Sequence, residues 1–146
     1  MDTPTALPAR AAGRARDGVR QRLLLAVFVG GAVGGLGRAA LERAIPASGH
    51  GWPWATFAAN VVGTALLAYF ATRLQERLPP STYPRPFLGT GLCGALTTFS
   101  TLQLETVELV RNGHVTLGVS YLAASIVAGL AAVHVITVLV RRETLR

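Results

Sequence analysis

The chain has 146 residues, of which 51% are hydrophobic and 14% charged, and a net charge of +7 at pH 7. A soluble domain carries about 25% charged residues, and here the charge gathers at the two ends and in short gaps between long uncharged runs. That distribution excludes an ordinary soluble domain and a basic nucleic-acid-binding face with interleaved aromatics, and it indicates a polytopic membrane protein. All 14 basic residues are arginine, and the single cysteine, Cys93, excludes an intrachain disulfide and a cysteine-based metal cluster.

Residues 1–22 are rich in Arg, Ala, Pro and Gly and read as a disordered basic tail. Its Arg10, Arg14, Arg16, Arg20 and Arg22 suit contact with anionic lipid headgroups. The first predicted span covers about residues 23–41. A signal peptide would share the basic stretch followed by an apolar run. The basic stretch here is too long, and no small-x-small cleavage site precedes a soluble domain. The pattern Gly30-Gly31-x-x-Gly34-Gly35-x-Gly37 places small residues at helical spacing, for close helix packing. Arg38 and Glu42 lie four apart at the end of this span; they either pair with each other or leave Arg38 at a pore mouth.

A loop over residues 45–53 follows, broken by Pro46, Gly49, Gly51 and Pro53, with Trp52 and Trp54 at the place of an interfacial aromatic belt. The second span covers about residues 54–72 and contains Asn60, Gly63 and Thr64. An Asn inside a span either ties helices together or lines a polar pathway. Residues 73–86 form a polar, proline-rich loop.

The third span, about residues 87–110, has the wrong centre for a plain helix. Gly89, Gly91 and Gly94 loosen it, and Thr97, Thr98, Ser100 and Thr101 follow closely. In lipid every backbone polar group needs a partner, so irregular backbone survives only where protein or a wet cavity surrounds it. The sequence therefore predicts a broken third helix whose break belongs to a binding or conduction site. Glu105 and Glu108 close the span, and Arg111-Asn112-Gly113 signals a turn. The fourth span covers about residues 115–140, with 143–146 as a short tail. Tyr121, Ser125 and Gly129 are four apart on one helix face and suggest a seam between helices. His134 lies deep in this span, either functional or as a neutral imidazole bonded to a carbonyl. Nucleotide loops, catalytic triads and paired carboxylates within a span are all missing from the sequence, so no enzyme is expected.

These residues together resemble the CrcB/Fluc fluoride channel family over about residues 23–140. The matching pieces are Gly30-Gly31-x-x-Gly34-x-x-x-Arg38, Thr56-Phe57-x-x-Asn60-x-x-Gly63, and Gly91-x-x-Gly94-x-x-Thr97-Thr98-Phe99-Ser100-Thr101 followed by Glu105. Tyr121 and Ser125 match the fourth span. The resemblance implies an all-α membrane protein of four transmembrane helices, assembled as an antiparallel dimer with two pores along the interface. It implies a structural Na⁺ held by the backbone carbonyls of Gly94 and Thr97. It places Asn60, Phe99, Ser100 and Thr101 on the fluoride pathway, with Tyr121 and Ser125 on the facing helix, and Arg38 and Glu105 at a pore mouth. The implied activity is passive fluoride export across the cell membrane. The chemistry is coherent: neutral hydroxyl and amide donors replace the water of a strongly hydrated anion, and a ring edge solvates it weakly.

Two positions depart from the family pattern. Leu102 stands where a second Phe is usual, and Gly129 where a hydroxyl often follows; both weigh against two full-strength pores in a homodimer. With four spans, eleven arginines (10, 14, 16, 20, 22, 73, 77, 85, 141, 142 and 146) share one side, against Arg38, Arg43 and Arg111 on the other. That bias favours cytoplasmic termini and one fixed orientation, hence pairing with an inverted paralogue. The alternatives are a non-conducting or half-conducting subunit of a heterodimeric channel, and a small multidrug-type proton-coupled transporter. The latter needs a carboxylate in the first span, and residues 23–37 contain none.

Overall fold

The computed structural model describes residues 9–46, 51–77 and 83–144. Their regular structure is helical. Helix α1 runs Ala9–Ala44, α2 Trp54–Arg77, α3 Gly94–Leu96, α4 Phe99–Arg111 and α5 Val115–Thr144, and a π-helical segment, Pro86–Cys93, leads directly into α3. Among the described residues three helices are long and apolar enough to cross a membrane: Asp17–Ala44 within α1, Trp54–Leu74 within α2 and Val115–Glu143 within α5. The stretch 87–110 is divided among the π segment, α3 and α4.

The expected tail over residues 1–22 is corrected from Ala9 onward, because α1 begins there. The sequence after Pro8 is dominated by Ala and Arg, two of the strongest helix formers, and meets no β-branched residue until Val19. Residues 1–8 lie outside the described residues. Helix α2 likewise continues to Arg77, short of Pro79 and Pro80, and α5 to Thr144, inside the expected C-terminal tail.

Packing is inverted relative to a soluble protein. Thr56 and Tyr121 are 1% and 0% exposed, whereas Phe28, Leu36 and Leu130 are about 70% exposed (73%, 71% and 68%). Large apolar side chains point outward from the very helices that are long enough to cross a bilayer, as hydrocarbon solvent requires. A small inner cluster of Leu102, Leu109 and Tyr121 is joined by Trp52, Phe57, Leu117 and Leu122. Trp52 thus packs inward, edge-on to Tyr121 with ring centroids 5.5 Å apart, while Trp54 stays exposed.

Backbone-to-backbone contact joins α1 to the π segment. A methyl group at Gly30 would collide with the Phe87 carbonyl oxygen, and one at Gly34 with the Leu92 carbonyl oxygen. From the other side, a Cβ on Gly91 would sit 2.7 Å from the Val27 carbonyl oxygen and 3.0 Å from the Gly30 Cα. Only half of the double-glycine pattern packs in this way, since Gly31 and Gly35 face open space. The turn after α4 is a Schellman motif: Gly113 has φ +84°, its N–H donates to Val110, and the His114 N–H donates to Leu109.

Candidate functional site

Between α3 and α4 two residues leave helical geometry: Thr97 has φ −82° and ψ 150°, and Thr98 φ −148° and ψ 119°. Asn60, from the second turn of α2, holds them open. Its Nδ2 donates to the Thr98 carbonyl at 3.1 Å, and the Thr98 N–H donates to its Oδ1 at 2.7 Å. A carboxamide matches the donor–acceptor pair of a peptide group, so Asn60 stands in for a strand partner at one residue.

The side chains that satisfy this stretch also release two carbonyls. In an uninterrupted helix the Thr98 N–H would donate to Gly94, four residues back, and the Thr101 N–H to Thr97. Here the Thr98 N–H goes to Asn60, and the Thr101 N–H goes to the Thr98 hydroxyl at 3.2 Å, which caps α4. The carbonyls of Gly94 and Thr97 therefore lose their ordinary helical donors. Thr98 further bonds through its Oγ1 to the Thr101 Oγ1 at 3.0 Å and the Ser100 Oγ at 3.3 Å. The Thr97 hydroxyl donates back to the Cys93 carbonyl at 3.0 Å. Its methyl lies against α2 where Gly63 leaves room, one turn from Asn60.

A groove of about 230 Å³ opens over this stretch, lined by Asn60, Thr64, Thr97, Thr98, Phe99, Leu102, Ser125 and Ile126. Phe99 is 65% exposed, whereas Leu102 is 5% exposed. Ser125, from α5, is 8% exposed, and its buried Oγ has no hydrogen-bond partner within the chain. A buried hydroxyl without a partner is costly, so this one is available to a ligand of the groove.

A second polar station lies one turn further along the same three helices. Glu105 on α4 accepts from the Thr56 hydroxyl through Oε1 at 2.7 Å and from the Tyr121 hydroxyl through Oε2 at 2.6 Å. Thr56 and Asn60 are four apart on α2, Tyr121 and Ser125 four apart on α5, and Thr101 and Glu105 four apart on α4. The two stations are thus about 6 Å apart along the helix axes.

Of the residues expected on an ion pathway, the structure brings Asn60, Phe99 and Ser125 together in the groove. Ser100 and Thr101 belong to the hydroxyl chain of Thr98, and Tyr121 is taken up by Glu105. Arg38 lies 3.6 Å from Glu42, the pairing that their spacing offered, with its Nε buried and unpartnered. Thr98 and Thr56 stand in the matching motifs, but the sequence reading gave neither a role of its own. A Thr three residues before Thr101 at a helix start is an N-cap signal, and Thr56 shares the Asn60 face of α2. Among the described residues no group of three His, Cys, Asp or Glu could hold a metal.

A sequence model described as "CrcB-like protein, Camphor Resistance (CrcB)" matches residues 25–137. The chain is 59% identical over 126 residues to the "Fluoride-specific ion channel FluC 1" of Mycobacterium tuberculosis, covering 86% of this chain and 95% of that one. It is 54% identical over 125 residues to the protein of the same name in Mycolicibacterium paratuberculosis, with 86% and 95% covered. A "Fluoride-specific ion channel FluC 3" of Streptomyces avermitilis is 41% identical over 117 residues, 80% of this chain and 57% of that one.

Proposed function

The chain belongs to the CrcB family, and from that premise we propose that it is a pore-forming subunit of a fluoride-specific channel. The observation that carries this reading is the unpartnered Ser125 hydroxyl, buried in a groove whose floor is the Asn60-clamped backbone of Thr97 and Thr98. Fluoride holds its water tightly, and a path for it must supply neutral donors in place of water. Ser125 has such a donor free, and the exposed Phe99 ring brings a positive edge to the same groove. Neither binds strongly, which lets the ion leave.

In this reading the π segment, α3 and α4 together make one crossing, interrupted at Thr97 and Thr98, and two subunits pack antiparallel. The groove is then closed by the partner. The structural Na⁺ implied by the family fits the donor set, because the Gly94 and Thr97 carbonyls are released from helical bonding and would hold it. A bound cation supplies positive potential near the groove. Glu105 works differently from the groove residues. By accepting from Thr56 and Tyr121 it fixes both hydroxyls away from a passing anion.

A second reading, a subunit that conducts fully only beside an inverted paralogue, is favoured by Leu102. It lines the groove where the family pattern has a ring, and its buried methyl groups offer no polarised edge. The arginine bias toward one side and the numbered names of the relatives agree with it. The test for both is fluoride efflux from liposomes holding the purified chain, read with a fluoride electrode. Wild-type efflux with at least a tenfold loss in Ser125→Ala, at unchanged elution volume, supports a homomeric channel. No efflux from the chain alone, restored by a co-expressed relative, supports the paired form. Unaltered efflux in Ser125→Ala removes the groove from the pathway.

A further inference from the structure

A second crevice, of about 180 Å³, lies away from the polar groove, between the later turns of α2 and the π segment. Its walls are Leu67, Phe70, Ala71 and Leu74, one stripe of α2 at i, i+3, i+4 and i+7, with Gly89 opposite and Arg85 at one end. The stripe extends about 10 Å along the helix. A Cβ on Gly89 would find nothing nearer than the Leu67 Cδ1 at 3.8 Å, so the space exists because position 89 carries no side chain.

Arg85 is pinned at the mouth. Its Nε and Nη2 both donate to the Leu74 carbonyl, at 3.3 and 2.7 Å, one of the last carbonyls of α2. Its Nη1 takes part in neither bond. At the same end of the bundle Arg73 bridges to Glu143 at 2.6 Å, tying α2 to α5, and Arg141 and Arg142 are exposed beside it. This end thus carries the guanidinium groups of Arg73, Arg85, Arg141 and Arg142 along with the carboxylate of Glu143. An apolar trough as long as several methylenes, with fixed positive charge at its mouth, complements one kind of molecule. We propose that this crevice seats an acyl chain of an anionic phospholipid, whose phosphate rests on Arg85. The site requires that the chain span a bilayer and is independent of what the polar groove conducts.

Native mass spectrometry of the full chain, extracted from bilayers of equal phosphatidylglycerol and phosphatidylcholine, tests it. One added guanidinium contact near the surface gives about a fivefold preference, so wild type should retain phosphatidylglycerol over phosphatidylcholine by at least about that factor. Arg85→Gln should erase the preference. Gly89→Leu and, independently, Ala71→Phe should abolish retention of either lipid by filling the crevice, with helical circular dichroism and elution volume unchanged. Equal retention of the two lipids by wild type overturns the proposal. So does full retention in both crevice-filling variants, or a disulfide formed between two copies carrying Ala71→Cys, which would assign the crevice to a second copy.

Discussion

Asn60→Ala tests how the interruption is held. The substitution removes the Nδ2 bond to the Thr98 carbonyl and the Oδ1 acceptor of the Thr98 N–H. Each neutral bond contributes about 1 kcal/mol net, and a buried group left unpaired costs about 1–3 kcal/mol. The stranded N–H can recover by turning back to the Gly94 carbonyl, which restores the helix and withdraws that carbonyl from any cation. The extended form should therefore lose about 2 kcal/mol relative to the helical one, a change of about 30-fold in the ratio of the two forms. If only the extended form conducts and the two lie near balance in the wild type, fluoride efflux from liposomes should fall by more than about tenfold. Asn60→Asp is the matched control. It keeps the acceptor for the Thr98 N–H but points a second oxygen at the Thr98 carbonyl, so it should not rescue. Efflux within about twofold of wild type in monodisperse Asn60→Ala would refute the reasoning, since that is far inside the expected change.

The remaining tests separate stability from conduction. Gly34→Ala drives a methyl into the Leu92 carbonyl oxygen and should cost about 1–3 kcal/mol. Gly35→Ala meets open space within the chain; thermal unfolding in detergent should rank Gly34→Ala well below Gly35→Ala, and the reverse order would contradict the packing. Tyr121→Phe keeps the ring but removes one donor to Glu105, and should lower stability by about 1–2 kcal/mol. In a double-mutant cycle with Glu105→Gln the two should couple by about 1 kcal/mol, and additivity would deny the bond. Leu102→Phe supplies the missing ring edge, and if Leu102 limits the pore, efflux from the chain alone should rise severalfold; an unchanged rate would shift the limit elsewhere.

The three long apolar helices were legible because each carries an unbroken run of the right length with its charges outside. The start of α1 was not, since a low-hydrophobicity run of Ala and Arg reads as a tail by composition while its propensities favour a helix. The first-span glycines were read as packing residues, and that is what Gly30 and Gly34 do; Gly91, read as loosening the third span, packs against Gly30. Sequence spacing could not say that Gly31 and Gly35 would be left open, because that depends on which side the π segment approaches. Trp52 looked interfacial, yet it lies edge-on to Tyr121. Nothing local distinguishes a tryptophan at a helix entrance from one folded beneath it. For Asn60 the sequence left glue and pathway as rivals. The geometry shows the tie, and the same bonds that join α2 to Thr98 shape the floor of the groove proposed as a pathway.

The hydroxyl residues divide by what already occupies them. Thr98 holds the α4 N-terminus and receives nothing else to give an ion, because its proton lies between Thr101 and Ser100. Thr97 gives its proton to Cys93, and Thr56 and Tyr121 give theirs to Glu105. Among the described residues, Ser125 is the one buried hydroxyl without a partner in the chain. A hydroxyl already donating to a carboxylate or carbonyl must break that bond before it can solvate an anion, and the cost slows passage; an unengaged one has no such cost. Substituting Thr98 or Tyr121 should therefore act first on the fold and only through it on transport. Substituting Ser125 should act on transport with the fold intact. The ordering follows from hydrogen-bond occupancy alone.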